Sequence, residues 1–150
     1  MTRLEQLCEA IKSYEGWYWG SRSWRNNNPG NLRFSIFQSG QKDGFAVFPS
    51  SKAGYWALWW DLFQKCRGYT VTGLNRDKTL ENLINVWAPP SENDTLIYVG
   101  AVSKQLNIPP STKLSYFLKD IDEPAPQIDL TKKQEVVDLA EQLLKKIKEI

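Results

Sequence analysis

Residues 11–34 run IKSYEGWYWGSRSWRNNNPGNLRF, and three kinds of signal meet in them. A helical run closes with a lone carboxylate, Glu15, which is flanked by Tyr14, Trp17, Tyr18, Trp19 and Trp24. The turn-rich NNNPGN then sends the chain back. A buried aromatic side chain removes on the order of 150–250 Å² from water, and loops seldom offer a place for it. So many aromatics beside one acid are therefore either core or a binding surface, and both readings stay open for Trp17, Trp19 and Trp24.

Upstream of this stretch, Thr2 and Glu5 have the spacing of a capping box, and Leu4, Leu7, Cys8, Ile11 and Tyr14 mark one apolar stripe. The pattern predicts a helix over about 3–15. Glu15 extends the series 4, 8, 11, so a carboxylate falls where the periodicity asks for an apolar side chain, and partial burial is expected. Burial and the negative helix end both favour the protonated form, which suits a general acid. The bland alternative is a glutamate that leaves for solvent at a frayed end, with Gly16 as an ordinary stop.

Downstream, Asn26, Asn27, Asn28 and Gly30 tolerate turn conformations and Pro29 fixes one φ, so an ordered loop is expected. Phe34, Ile36 and Phe37, then SGQKDG, then Phe45, Val47 and Phe48 predict a β-hairpin over about 32–48 turning at Asp43-Gly44. A helix capped by Ser50 or Ser51 follows, and its Tyr55, Trp56, Trp59 and Trp60 are read as mostly core. KTLENLINVW predicts another helix, stopped by Pro89-Pro90. A third starts near Asn93 or Asp94 with Leu96, Val99, Val102 and Leu106 inward. Capping is the favoured role for at least one of Glu92 and Asp94. Tyr98 falls beside that stripe, where it lines a groove or is structural. After the proline-containing DEPAPQ, a Thr131/Gln134 capping box opens a last helix. It carries Val136, Val137, Ala140, Leu143, Leu144 and Ile147 on one side, and the segment 127–150 packs back or serves as a docking helix.

Composition narrows the function classes. With 150 residues, 41% hydrophobic and 24% charged, the chain fits a single domain, and the fold class expected is α+β, mainly α. The 19 basic and 17 acidic residues form no Lys/Arg run, so the footprint of a duplex-binding protein is missing and no nucleic-acid partner is expected. There is no histidine, and Cys8 and Cys66 make no metal spacing. Ser-His and Cys-His catalysis and His-ligated zinc lack their residues, so catalysis must use carboxylates or tyrosines, with no metal or cofactor expected. Both cysteines are expected to be free, mostly buried thiols. The N-terminal MTRLEQLCEAIK is charged and amphipathic rather than an apolar signal core, and no apolar run reaches a membrane span. Synthesis in the cytoplasm without a signal peptide is the expectation.

The order of Glu15, RNNNPGNLRF, GFAVFPSSKAGYWAL and VWAPPSENDTLIYVGAVSKQL resembles a phage-associated family of lysozyme-like proteins related to lytic transglycosylases and muramidases, over about residues 10–108. The resemblance implies a lysozyme-like fold in which a glutamate ends a helix at a cleft, with a small β-hairpin as one wall and helices as the other. It implies Glu15 as catalytic acid, Asn31 and its neighbours, Asn28 among them, in the cleft segment, Glu92, Asn93 and Asp94 as polar residues near the cleft, and Tyr98 as the tyrosine of the last transglycosylase motif. The activity implied is cleavage of the MurNAc-GlcNAc bond of peptidoglycan glycan strands. Trp17 and Trp19 would stack on sugar faces, and Asn side chains would read the N-acetyl groups. A hydrolase needs a second carboxylate, for which Asp43 and Asp94 are the candidates; a transglycosylase does not. Gly16-Trp17 stands where transglycosylases often carry Ser-Gly, and both reactions stay open. A monomer is expected, virion-associated or released to the wall by another factor. The alternative that the resemblance carries is a non-catalytic glycan-binding or virion structural protein, with virion components as partners.

Overall fold

The computed structural model describes residues 1–123 and 133–149. Among them the chain is mainly helical with a two-stranded antiparallel sheet. The order is α1 (Arg3–Tyr14), α2 (Arg22–Arg25), β1 (Gly40–Lys42), β2 (Phe45–Val47), α3 (Ser51–Arg67), α4 (Leu80–Trp87), α5 (Thr95–Leu106), a 3-10 turn (Leu114–Leu118) and α6 (Lys133–Glu149). No helix among the described residues is long and apolar enough to cross a membrane. The chain forms two compact units, one of Met1–Tyr14 with Asp61–Asp122, the other of Glu15–Trp60 with Glu123–Ile150.

In the first unit, the Thr2 hydroxyl accepts from the Glu5 amide at 3.1 Å and starts α1 as its capping spacing requires. Leu4, Leu7, Cys8, Ala10 and Ile11 are all buried on its inner face. Each buried Leu or Ile contributes about 1.5–3 kcal/mol, so this face alone anchors α1 against α5 and the 3-10 turn. The Arg3 guanidinium lies 4.2 Å from the Tyr116 ring, and the Arg3 amide donates to the Asp120 carboxylate at 3.0 Å. Thr79 and Asn82 close a capping box at the start of α4, which ends at Trp87 before Pro89-Pro90.

The phase of α5 differs from expectation. Asp94 caps it, so the first helical residue is Thr95, whose hydroxyl is buried and donates to the Ala88 carbonyl at 2.6 Å. From that anchor the inward positions are Thr95, Tyr98, Val99, Val102 and Ser103, while Leu96 turns out to solvent at 79% exposure and Leu106 is half-buried. Tyr98 therefore belongs to the buried stripe rather than lying beside it. It is 1% exposed, and its ring lies 3.8 Å from that of Tyr14, centroid to centroid.

In the second unit, the hairpin pairs Gly40 with Val47, Gln41 with Ala46 and Lys42 with Phe45. Its turn has Asp43 at φ 51° and Gly44 at φ 81°, the positive pair that suits the twist of a two-residue hairpin loop. The hairpin is shorter than the expected 32–48. Ser35 and Gln38 take up one another's backbone groups in a local turn, so residues 34–38 make no ladder, and Phe34 and Ile36 are exposed. Ser50 caps α3 by accepting from the Ala53 amide at 3.1 Å. The core side of α3 in this unit is Ala53, Ala57 and Leu58; Tyr55, Trp56, Trp59 and Trp60 are half-buried rather than core, with Trp56 and Trp59 edge-on at 5.5 Å. In α6 none of the side chains described is buried, and Val137 and Leu144 are exposed. Thr131, the expected start of its capping box, lies outside the described residues.

Candidate functional site

Glu15 is the first residue beyond α1 rather than a member of its last turn. Gly16, at φ 80°, makes the left-handed stop that ends the helix there. The Glu15 side chain is half-buried. Asn31 Nδ2 reaches it across the loop, donating to the Glu15 carboxylate Oε2 at 3.2 Å and to the Glu15 carbonyl at 3.3 Å. One amide thus holds both the backbone and the head of the acid. Asn31 adopts φ 47°, a left-handed conformation that asparagine accepts better than most residues, and its Oδ1 is buried without a hydrogen-bond partner.

What positions Asn31 is the rest of NNNPGN. Asn28 is fully buried; its Nδ2 donates to the Leu32 and Ala46 carbonyls, both at 2.9 Å, and its Oδ1 accepts from the Leu32 amide at 2.9 Å. Asn27 Nδ2 donates to the Phe48 carbonyl at 3.1 Å, and the Phe48 amide donates to the Asn26 carbonyl at 3.0 Å. Backbone that would otherwise lie unpaired against β2 is satisfied by asparagine side chains. The substrate-contact role expected of Asn28 is therefore corrected, because an amide with no exposed surface and three backbone partners has no group left to present.

The aromatics after Gly16 face outward. Trp19 is 82% exposed and Tyr18 67%, Trp24 is less so, and the rings of Trp19 and Trp24 lie 5.7 Å apart. Trp17 is half-buried. The core reading fails for Trp19, and an exposed indole beside a second one makes a platform for an apolar ligand face. Ser21 caps α2 by accepting from the Trp24 amide, and the Ser23 hydroxyl donates to the Gly16 carbonyl at 3.3 Å, which ties this loop to the turn bearing Glu15.

Asp43 stands exposed on the hairpin turn, where it lines a small pocket of about 160 Å³ together with Arg22, Arg25, Asn26 and Lys42. The other sequence candidates belong to the first unit. Glu92, Asn93 and Asp94 are exposed in the loop before α5; Asp94 accepts from the Ile97 amide at 3.3 Å as the helix cap, the favoured role for it. Asn93 and Asp94 border an open depression shared with Glu81, Asn85, Pro90 and Leu96. Tyr98, read as a catalytic tyrosine, is 1% exposed on the inner side of α5.

The residues brought together are thus Glu15 with Asn31, Trp19 with Trp24, and Asp43 with three cations. Sequence reasoning missed Arg22, Arg25 and Lys42. The i, i+3 spacing of Arg22 and Arg25 was a usable signal, since it places both on one side of a helical turn. No group of three or more Cys, Asp or Glu side chains able to hold a metal occurs among the described residues. Compared with family models, curated proteins and solved structures, the chain has no match.

Proposed function

We propose that this chain is a peptidoglycan-cleaving glycosidase of lysozyme-like fold in which Glu15 is the general acid. The observation that carries the reading is the double hydrogen bond from Asn31 Nδ2 to the carbonyl and carboxylate of Glu15, since a proton donor must be held in a set orientation beside the bond it breaks. Trp19 and Tyr18 supply exposed ring faces on the same unit, of the kind that stack on sugars.

Between hydrolysis and transglycosylation, the second is favoured. Asp94 is engaged as a helix cap, and Asp43 sits on an exposed turn among cations, so neither is placed like a dedicated second carboxylate. In a single-carboxylate reaction Glu15 gives its proton to the glycosidic oxygen as the C–O bond breaks. The resulting carboxylate then takes the proton of the substrate's own 6-hydroxyl, whose oxygen closes on the anomeric carbon as a 1,6-anhydro ring. The reaction needs no water and returns Glu15 protonated.

Incubation with purified peptidoglycan and mass spectrometry of the soluble products tests this. Products with 1,6-anhydro ends are expected from the parent and none from Glu15→Gln. Reducing ends formed with uptake of water would assign hydrolysis. Binding to the glycan with no product from the parent would replace the enzyme by the alternative, a glycan-binding or virion structural protein, for which the exposed Trp19 serves equally well.

A further inference from the structure

The pocket beside the hairpin turn is the strongest feature that the proposed cleavage reaction does not use. Arg22 and Arg25 come from α2 and Lys42 from the end of β1, with Asn26 and Asp43 completing the lining. Three cations against one carboxylate leave it positive. Neither Arg22, Arg25 nor Lys42 forms an ion pair with any described residue, and all three are exposed. The net positive charge that three cations and one carboxylate give the pocket favours an anionic occupant.

Its construction is ordered rather than a random gathering of solvated side chains. The Arg22 guanidinium is stacked 4.4 Å from the centroid of the buried Phe45 ring, which holds its planar fork, and the Arg33 guanidinium stacks on that ring at 4.2 Å. Asn26 is buried, and its backbone is bonded to Phe48 and Arg22. Charge is also concentrated here. Residues 15–60 carry five Lys or Arg and two Asp or Glu, in a chain of 19 and 17 overall. The volume of about 160 Å³ has room for an oxyanion with part of its hydration. Two arginines and a lysine match a carboxylate, which guanidinium groups bind in bidentate fashion.

We propose that this pocket binds a carboxylate of the peptide stems borne by the glycan strand, so that the protein recognises peptide-substituted rather than bare glycan. The inference rests on the peptidoglycan reading above, but concerns binding rather than cleavage. Arg22, Arg25 and Lys42 would be specificity residues, not catalytic ones.

The test uses the Glu15→Gln protein and cell-wall peptidoglycan freed of phosphate polymers by hydrofluoric acid, half of it then stripped of peptides by an amidase. Co-sedimentation should give about tenfold tighter binding to the peptide-bearing preparation, with the difference shrinking as salt is raised. Adding Arg22→Gln, Arg25→Gln and Lys42→Gln should abolish the difference while the melting temperature stays near the parent's. A control triple, Lys104→Gln, Lys113→Gln and Lys119→Gln, loses the same net charge from the other unit and should keep it. Equal binding to both preparations would overturn the proposal, as would a control triple that loses discrimination equally, or binding that vanishes at the hydrofluoric acid step. Absence of cleavage by the parent would sink the enzyme reading alone, because discrimination is read from binding by a variant that does not cleave.

Discussion

Asn28 and Asn31 stand three positions apart in one loop and do opposite things. Asn28 spends its whole amide on backbone groups inside the fold. In Asn28→Ala the Leu32 amide and the Ala46 carbonyl lose their side-chain partner in a dry site. At about 1–3 kcal/mol for each buried group left unpaired, a loss of about 2–4 kcal/mol is expected, seen as a lower urea midpoint. Asn31 instead spends its amide on Glu15. Asn31→Gly removes that contact while accommodating φ 47° without strain, so stability should hold and turnover should fall. Hydrogen bonds between neutral groups are worth about 0.5–1.5 kcal/mol, which corresponds to about 2- to 10-fold in kcat for the protonated acid, with KM changed by less than about threefold. Steady-state kinetics on solubilised glycan strands checks this, and a change confined to KM would mean that Asn31 binds substrate instead of orienting the acid.

At the scale of elements, the contact between the asparagine loop and α3 turns on Gly54. A Cβ built there would lie 1.7 Å from the Asn27 carbonyl oxygen, a backbone atom that cannot swing aside. Helix propensity favours alanine over glycine by about 1 kcal/mol, whereas overpacking a tight contact costs about 1–3 kcal/mol or more. Here the clash should win, so Gly54→Ala is expected to be less stable than the parent. Gly100, in the exposed middle of α5, has nothing within 4 Å of its would-be Cβ, so Gly100→Ala should gain about 0.5–1 kcal/mol. Urea titrations of the two variants should therefore shift in opposite directions. A stabilised Gly54→Ala would show that α3 does not press on the loop.

For the molecule as a whole, alkaline pH is the condition that should strain the fold, through the two thiols of the first unit. Cys8 and Cys66 are free and fully buried. Burial pushes the Cys66 thiol up to about 12, and burial, with the nearby Glu9 charge adding, raises Cys8 well above its usual 9.0. A thiol is neutral when protonated, so the folded chain holds these protons more tightly than the unfolded chain does. The associated stability is present in full below the unfolded value near 9 and is lost as pH rises through the folded one. At 1.36 kcal/mol per pH unit, Cys66 alone should cost the parent about 2 kcal/mol between pH 8 and 10.5. Cys66→Ala, less stable at pH 7 through its small cavity, should lose less over that interval and close the gap. Paired denaturant titrations at pH 7 and 10.5 decide it; parallel losses would place the alkaline sensitivity in other groups.

Much of the scaffold was legible before any coordinate was known. The stripe of Leu4, Leu7, Cys8 and Ile11, the Thr2 cap, the Asp43-Gly44 turn, the Ser50 cap and the stop at Pro89-Pro90 all follow from torsional preferences and hydrogen bonds that act within four residues, so a linear text records them. The half-buried Glu15 was legible for the same reason, as the next step of a helical series. Three-dimensional packing decided the remainder. Periodicity says that a helix has a face, but TLIYVGAVSKQL carries apolar residues on more than one side, so packing chose the face that buries Thr95, Tyr98, Val99 and Val102 and leaves Leu96 out. Nothing local separates Asn28 from Asn31; their roles differ because one meets the backbone of β2 and the other meets Glu15. Likewise Arg22, Arg25 and Lys42 are unremarkable surface charges until the hairpin folds back beside α2, since electrostatic meaning depends on distances through space that sequence separation does not encode.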